Sequence, residues 1–217
     1  MKMNPSARIF LVLAGLLLIL SPGQVTAQWP EASTDLDRKV LTFLKNQAGE
    51  WRDMNVPVSD GRILYDLVLA GRYKKALEIG TSTGHSAIWI AWALSKTGGK
   101  LVTLEIDKGR YLQALQNFKK AGLSAFIDAR LGDAHELVPR LENNWDFVFC
   151  DADRYWYKNY FTSMERKLVK GGCYVAHNTN TRSSDIREFL AYLKTHPGYS
   201  TSFRTESRSG MSVSYKK

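Results

Sequence analysis

The chain has 217 residues with a formal net charge of +9 at pH 7, from 30 basic and 21 acidic residues. This length suits one domain of ordinary size. The basic residues are scattered and no run of five or more like charges occurs, which indicates a solvated basic surface. The net positive charge is also compatible with an anionic partner or an anionic membrane surface. No nucleic-acid-binding motif accompanies the surplus, and we expect no nucleic-acid partner.

The first 27 residues differ from the rest of the chain. Lys2 and Arg8 precede an unbroken apolar run over residues 9–20, and small residues up to Ala27 offer a cleavage site. Twelve apolar residues are too few for a bilayer span, which needs about 20. We therefore predict a cleaved signal peptide over residues 1–27 and a periplasmic or secreted protein without a stable membrane span. A membrane-anchored or cytoplasmic protein is the alternative.

The remaining residues, 28–217, predict a single domain in which helices and strands alternate. Helices are predicted at residues 28–51 (capped by Ser33), 63–69 (preceded by Ser59 as a cap), 87–94, 108–120, 133–141, 157–168 and 185–194. Strands are predicted up to residue 79 and at 101–105, 126–131, 147–150 and 173–176, followed by a hairpin around Gly210. This order predicts a doubly wound, Rossmann-like α/β fold: a seven-stranded, mostly parallel sheet with helices on both faces and an antiparallel C-terminal edge hairpin.

The stretch ALEIGTSTGHS, residues 76–86, predicts a strand, a tight glycine turn and the start of a helix. Gly80 and Gly84 form Gly-x-x-x-Gly, which does not match the pyrophosphate-cradling Gly-x-Gly-x-x-Gly. The spacing favours a nucleotide-like ligand without phosphates, although an ordinary strand-to-helix turn explains the glycine pair equally well. Glu105, at the end of the next strand, stands where a carboxylate would hold a ribose diol.

Four segments, ALEIGTSTGHSAIWIA, LVTLEID, LGDA and WDFVFCDAD, resemble in this order the class I S-adenosylmethionine (SAM)-dependent methyltransferases. The chain is most similar to the cation-dependent catechol and caffeoyl-CoA O-methyltransferases, from about residue 54 to the C-terminus. This resemblance implies a SAM-dependent O-methyltransferase acting on a small, aromatic hydroxyl compound; a homodimer stays open. The alternatives are an inactive SAM-binding protein and a metal-independent methyltransferase for a carboxylate or amine.

The resemblance also implies a set of cofactor-binding residues. Ser86 would hold the methionine carboxylate, Glu78 the amino group, Glu105 both ribose hydroxyls and Asp133 the adenine amino group. Asp133 alone also fits an ordinary helix cap, and Val56 a turn between helices. The implied set is Val56, Glu78, Gly80, Ser82, Gly84, Ser86, Glu105, Asp133 and Asp151.

In the resembled family, an aspartate after strand four and an Asp-Asn pair after strand five hold a divalent cation that stabilises the phenolate. The first position here is Asp151, and the pair is His177-Asn178. Imidazole favours Zn, Fe, Ni or Cu over Mg²⁺. Binding of a transition metal by Asp151, His177 and Asn178 and loss of the metal are therefore both open.

The family's catalytic lysine is replaced by Arg154, which stays protonated and cannot act as a general base. It could pair with an anionic acceptor or with Asp151. Lys158 and His177 are the other candidates for the base, with a surface lysine and a structural histidine as the plainer interpretations.

Aromatic residues follow Asp151 closely: Tyr155, Trp156, Tyr157 and Tyr160. They offer a flat wall for an aromatic acceptor, although core packing explains Tyr157 and Tyr160 equally well. We expect Cys150 and Cys173, on neighbouring strands, to be free and buried, with a disulfide as the alternative in an oxidising compartment. The remaining histidines, His85, His135 and His196, are expected to be structural or exposed.

Overall fold

The computed structural model describes residues 29–51, 53–204 and 206–217, so the predicted signal peptide lies outside the described residues. Within these ranges no helix has the length and apolar character of a membrane span. The described helices are α1 Asp35–Asn46, α2 Val58–Gly71, α3 His85–Thr97, α4 Lys108–Ala121, α5 Ala134–Arg140, α6 Tyr157–Glu165 and α7 Ser184–Thr195. The described strands are β1 Lys75–Ile79, β2 Lys100–Glu105, β3 Ile127–Leu131, β4 Trp145–Cys150, β5 Leu168–His177, β6 Tyr199–Arg204 and β7 Met211–Lys216.

The strands form one seven-stranded sheet in the order β3-β2-β1-β4-β5-β7-β6. The first five strands run parallel, whereas β7 is antiparallel to both β5 and β6. The predicted mostly parallel, doubly wound sheet with an antiparallel edge hairpin is confirmed. The order reverses between β1 and β4, which is the position where open α/β sheets bind ligands.

Apolar residues of the central strands are buried on both faces of the sheet. Phe147 and Phe149 of β4 join a core cluster with α1–α4, whereas Val148 and Cys150 join a second cluster with α5–α7. Burial on both faces explains why β4 reads as a continuous apolar run and not as an alternating one.

Two predicted helix caps are wrong. The cap of α1 is Thr34, whose Oγ1 accepts from the backbone N of Asp37 at 3.1 Å, whereas Ser33 donates to the Asp37 carboxylate. The helix therefore starts later than residue 28. Ser59 lies inside α2, which begins after Pro57 without a side-chain cap, and its hydroxyl donates to Asp60 Oδ1 at 3.0 Å.

The largest boundary difference lies at the start of β5. Leu168 was predicted as the end of a helix, but it pairs with Trp145 and begins β5. Cys150 and Cys173 are free and buried, as expected. In the parallel register Cys173 lies beside Phe147 and Cys150 beside Ala176, so the two thiols are not opposite each other.

The loops after β1 and β4 are in direct contact. Gly80 has a φ of +96°, and a Cβ atom there would lie 2.5 Å from the backbone oxygen of Asp151. Only glycine fits both the left-handed backbone and this close approach. The glycine turn thus meets the loop that carries Asp151.

Candidate functional site

A cavity of about 560 Å³ opens at the carboxyl ends of β1, β2, β3 and β4. Five of the predicted cofactor residues lie on its wall: Gly80, Ser82, Glu105, Asp133 and Asp151. The other lining residues are Met54, Leu104, Ile106, Arg110, Gly132, Ala134, His135, Ala152, Asp153, Tyr155 and Tyr160. The structure therefore brings residues from four separate loops to one cavity at the switch point.

Glu105 is held in place by backbone donors on both sides. Its Oε2 accepts from the backbone N of Ser82, in the glycine turn, at 2.7 Å, and its Oε1 accepts from the backbone N of Asp107 at 2.9 Å. Only 6% of the residue is exposed. Each carboxylate oxygen has a second lone pair, so the fixed carboxylate can still accept from a ligand.

The rest of the glycine turn supports the wall from behind. Gly84 caps α3 with a φ of +97°, and a Cβ atom there would lie 2.5 Å from the Phe118 ring, so its role is close packing of α3 on α4. Ser86 is buried in the first turn of α3. Neither residue is on the cavity wall.

Glu78 lies behind the same turn and is fully buried. Its Oε2 accepts from Thr103 Oγ1 at 2.5 Å, whereas Oε1 has no hydrogen-bond partner among the described residues. Burial raises the pKa of Glu78 to about 8, against the opposing effect of the nearby hydroxyls of Ser86 and Thr103. The protonated form of Glu78 is therefore favoured at neutral pH.

The segment before α2 is tied to the glycine turn and covers one side of the cavity. Asn55 Nδ2 donates to Thr83 Oγ1 at 2.8 Å, and the backbone oxygen of Val56 accepts from His85 Nδ1 at 2.7 Å. Val56 is buried and lies behind the wall, whereas its neighbour Met54 lines the cavity and is 66% exposed.

Asp133 belongs both to a helix cap and to the cavity wall. It caps α5 by accepting from the backbone N of His135 at 2.8 Å, and it also lines the cavity. His135 was expected to be structural or exposed, but its ring lies on the wall, 4.4 Å from the Trp156 ring, with Nε2 3.0 Å from Asp153 Oδ2. The only sequence signal for it is its place two residues after Asp133.

Asp151, His177 and Asn178, the predicted metal ligands, do meet, but they bond to one another. His177 Nδ1 lies 3.1 Å from Asp151 Oδ2, and Asn178 Nδ2 donates to Asp151 Oδ1 at 2.7 Å. The second ring nitrogen, Nε2, lies 2.7 Å from Oδ2 of Asp60, a residue of α2 that the sequence analysis did not identify. Burial alone would lower the pKa of His177, but the bonds to Asp151 and Asp60 outweigh it and raise the pKa to about 9.

This donor set does not fit a divalent metal. A histidine that binds a metal must be neutral and must offer a ring nitrogen with a free lone pair. Both ring nitrogens of His177 face carboxylate oxygens. In the described part of the chain no cluster of three or more His, Cys, Asp or Glu residues has an arrangement that could hold a metal ion. We therefore assign no chemical step to a metal.

Two further residues of the predicted catalytic set, Arg154 and Lys158, are basic. Arg154 is exposed in a short 3₁₀ segment after β4, and Lys158 Nζ pairs with Glu188 of α7 at 2.7 Å. Of the aromatic residues, Tyr155 is 63% exposed and lines the cavity with Tyr160, whereas Tyr157 is buried against Phe189.

Comparison with known proteins adds to this geometry. The model of a family described as O-methyltransferase matches residues 30–185. A catechol O-methyltransferase from Niastella koreensis is 36% identical over 58% of this chain and 58% of that protein. A caffeoyl-CoA O-methyltransferase from Medicago sativa is 30% identical over 75% of this chain and 68% of that protein. The crystal structure of an O-methyltransferase from Bacillus cereus in complex with S-adenosylhomocysteine (SAH) has a TM-score of 0.72 at 24% identity, over 87% of this chain and 92% of that chain.

The strand order and the switch-point cavity define a Rossmann-like methyltransferase fold. Within that class, the match over residues 30–185 shows that the chain belongs to the O-methyltransferase family. The alignment spans little more than half the length of the catechol O-methyltransferase, 58%.

Proposed function

We propose that this protein binds SAM in the 560 Å³ cavity and transfers its methyl group to a hydroxyl of a small, aromatic acceptor. One observation carries the proposal: in a member of the O-methyltransferase family, the glycine turn holds the Glu105 carboxylate at the switch point, with Ser82 N and Glu105 Oε2 2.7 Å apart. The names of the catechol and caffeoyl-CoA relatives support an aromatic hydroxyl acceptor. Tyr155, exposed on the wall, offers an aromatic face to it.

Different residues of the site would bind different parts of SAM. Glu105 and Asp133 line the cavity. Glu105 would accept from both ribose hydroxyls, and Asp133 would accept from the adenine amino group. The amino-acid end would lie over the glycine turn, behind which Ser86 and Glu78 are buried and Oε1 of Glu78 has no hydrogen-bond partner among the described residues. Because an ammonium group stabilises a carboxylate, binding lowers the pKa of Glu78 from about 8 and releases a proton near neutral pH.

Methyl transfer is an in-line displacement: the acceptor oxygen forms a bond to the methyl carbon, and the sulfonium sulfur keeps the electron pair of the broken bond. An aromatic hydroxyl has a pKa near 10 and must lose its proton. Asp151 is the group positioned to accept it, since its side chain is 11% exposed and lies on the cavity wall. Lys158 is paired with Glu188, and both ring nitrogens of His177 are occupied.

The cofactor site is tested by titrating SAH into the wild type and a Glu105→Ala variant in a calorimeter. We expect binding by the wild type and an affinity loss of at least about 30-fold in the variant, because two charge-assisted hydrogen bonds are lost. Glu142→Ala removes an exposed acid and serves as the matched control. An unchanged affinity in Glu105→Ala, or no binding by the wild type, would contradict the proposal.

The acceptor is tested by mass spectrometry of products from a panel of catechols, carboxylates and amines, with and without a chelator and with Mg²⁺, Mn²⁺ or Zn²⁺ added back. Methylated catechols are the expected products. Transfer only to carboxylates or amines would redefine the acceptor, and SAH binding without any transfer would identify an inactive cofactor-binding protein.

We also propose that the protein is exported, on the basis of the basic, apolar and small-residue segments in residues 1–27. Sequencing the N-terminus of protein from the periplasmic and cytosolic fractions tests this. A mature chain that starts at Gln28 in the periplasm is expected, and an intact Met1 in the cytosol would refute export.

A further inference from the structure

His177 bridges the carboxylates of Asp151 and Asp60 at the end of β5, so its ring already lies where a cation between them would lie. We infer that the His177 ring takes the position of the divalent cation, so that this protein transfers methyl groups without a metal. The inference deepens the proposed function and rests on it.

The hydrogen bonds of the His177 ring require it to be positively charged. An ionised carboxylate is only an acceptor, and each ring nitrogen faces one: Nδ1 lies 3.1 Å from Asp151 Oδ2, and Nε2 lies 2.7 Å from Asp60 Oδ2. Both nitrogens must therefore carry a hydrogen, and neither has a lone pair for a metal.

Both oxygens of Asp60 already have hydrogen-bond partners. It is fully buried; its Oδ2 also accepts from Ser207 Oγ at 2.7 Å, and its Oδ1 accepts from Ser59 Oγ at 3.0 Å. A metal at Asp60 would have to displace donors such as the buried Ser207 hydroxyl, and leaving a buried donor unpaired costs free energy.

The remaining groups do not converge on a common point. Asp60 and Asp151 stand on opposite sides of the His177 ring, and Asn178 turns its Nδ2 hydrogens, not its oxygen, toward Asp151 Oδ1. A bound divalent cation needs several ligand atoms, oxygen or nitrogen, directed at one centre. The cation would also lie beside a positively charged ring.

The experiment titrates Mg²⁺, Mn²⁺ and Zn²⁺ separately into the purified wild type, His177→Asp and His177→Asn. Calorimetry and the NMR signals of the His177 ring report binding. The wild type should show no saturable binding and unmoved ring signals, and a chelator should leave its methyl transfer unchanged. His177→Asp restores the carboxylate-amide pair and should bind a divalent cation at least about tenfold more tightly than the wild type. His177→Asn, of matched size without the charge, should not.

Saturable binding by the wild type, with activity that a chelator removes and a metal restores, would overturn the inference. If circular dichroism shows that His177→Asp does not fold, the wild-type titration and ring signals decide alone. A wild type that fails to bind SAH would instead refute the proposed function, and the metal titration would still give its own answer.

Discussion

Two histidines near the cavity are almost equally buried, with 1% of His85 and 3% of His177 exposed, yet their surroundings favour opposite charges. His85 donates from Nδ1 to the backbone oxygen of Val56 at 2.7 Å, and its Nε2 accepts from Trp89 Nε1 at 3.1 Å. Burial lowers the pKa of His85 to about 4, so that this ring is neutral. The carboxylates of Asp151 and Asp60 overcome burial at His177 and raise its pKa to about 9.

Burial therefore does not decide the charge of a histidine in this fold; its partners do. One neutral donor and one neutral acceptor satisfy the His85 ring without a charge. The two carboxylates around His177 leave a buried excess of negative charge that a neutral ring could not offset. The first histidine joins the segment before α2 to the glycine turn, and the second joins α2 to the ends of β4 and β5.

Replacing the charged ring should have the largest effect. His177→Leu leaves Asp60 and Asp151 buried without their cation, and we expect the free energy of unfolding at pH 7 to fall by about 3–5 kcal/mol. Urea unfolding followed by circular dichroism measures it. His196→Leu, which removes a partly exposed partner of Glu165, should cost at most about 1 kcal/mol. Similar losses in both variants would mean that His177 carries no special charge.

Loss of the His177 charge should make the protein less stable at alkaline pH. The folded pKa of His177 lies above its ordinary value of 6.5, so its stabilisation is complete below about pH 6.5 and is lost as the pH rises through about 9. We expect the wild type to lose about 2–3 kcal/mol more than His177→Leu over this window. The charged groups that face the ring are Asp60 and Asp151, and Glu78, which also titrates here, is common to both proteins. If the wild type and His177→Leu lost the same stability over this window, the charged bridge from His177 to Asp60 and Asp151 would be contradicted.

Much of the fold could be predicted from the sequence because each strand and helix carries its own periodicity. The errors arise where distant partners decide. Leu168 continues the helical pattern before it, but its pairing with Trp145 places it in β5. Thr34 and Ser33 are equally good caps by residue type, and the side chain of Asp37 selects Thr34.

The part of the site around the glycine turn was more predictable than the cluster around His177. Glu105 ends β2 and the glycine turn follows β1, and these two strands pair in parallel, so their carboxyl ends are adjacent. Asp60 and His177 are 117 positions apart, and no local pattern links them. Without Asp60, the pair His177-Asn178 reads as a metal site; with Asp60, it is a closed ion cluster.

Replacing the neutral ring should have the smallest effect, and an opposite response to pH. In His85→Phe the aromatic stacking on Trp51, at 4.5 Å between ring centroids, can persist, while the bonds to Val56 and Trp89 are lost. We expect a loss of about 1–2 kcal/mol at pH 7.

The folded pKa of His85 is depressed, so its contribution is present above pH 6.5 and is lost as the pH falls through about 4. The stability gap between wild type and variant should therefore shrink on acidification, as measured by thermal unfolding from pH 7 to pH 4. A gap that widens instead would show that His85 is charged in the folded protein, and the contrast with His177 would disappear.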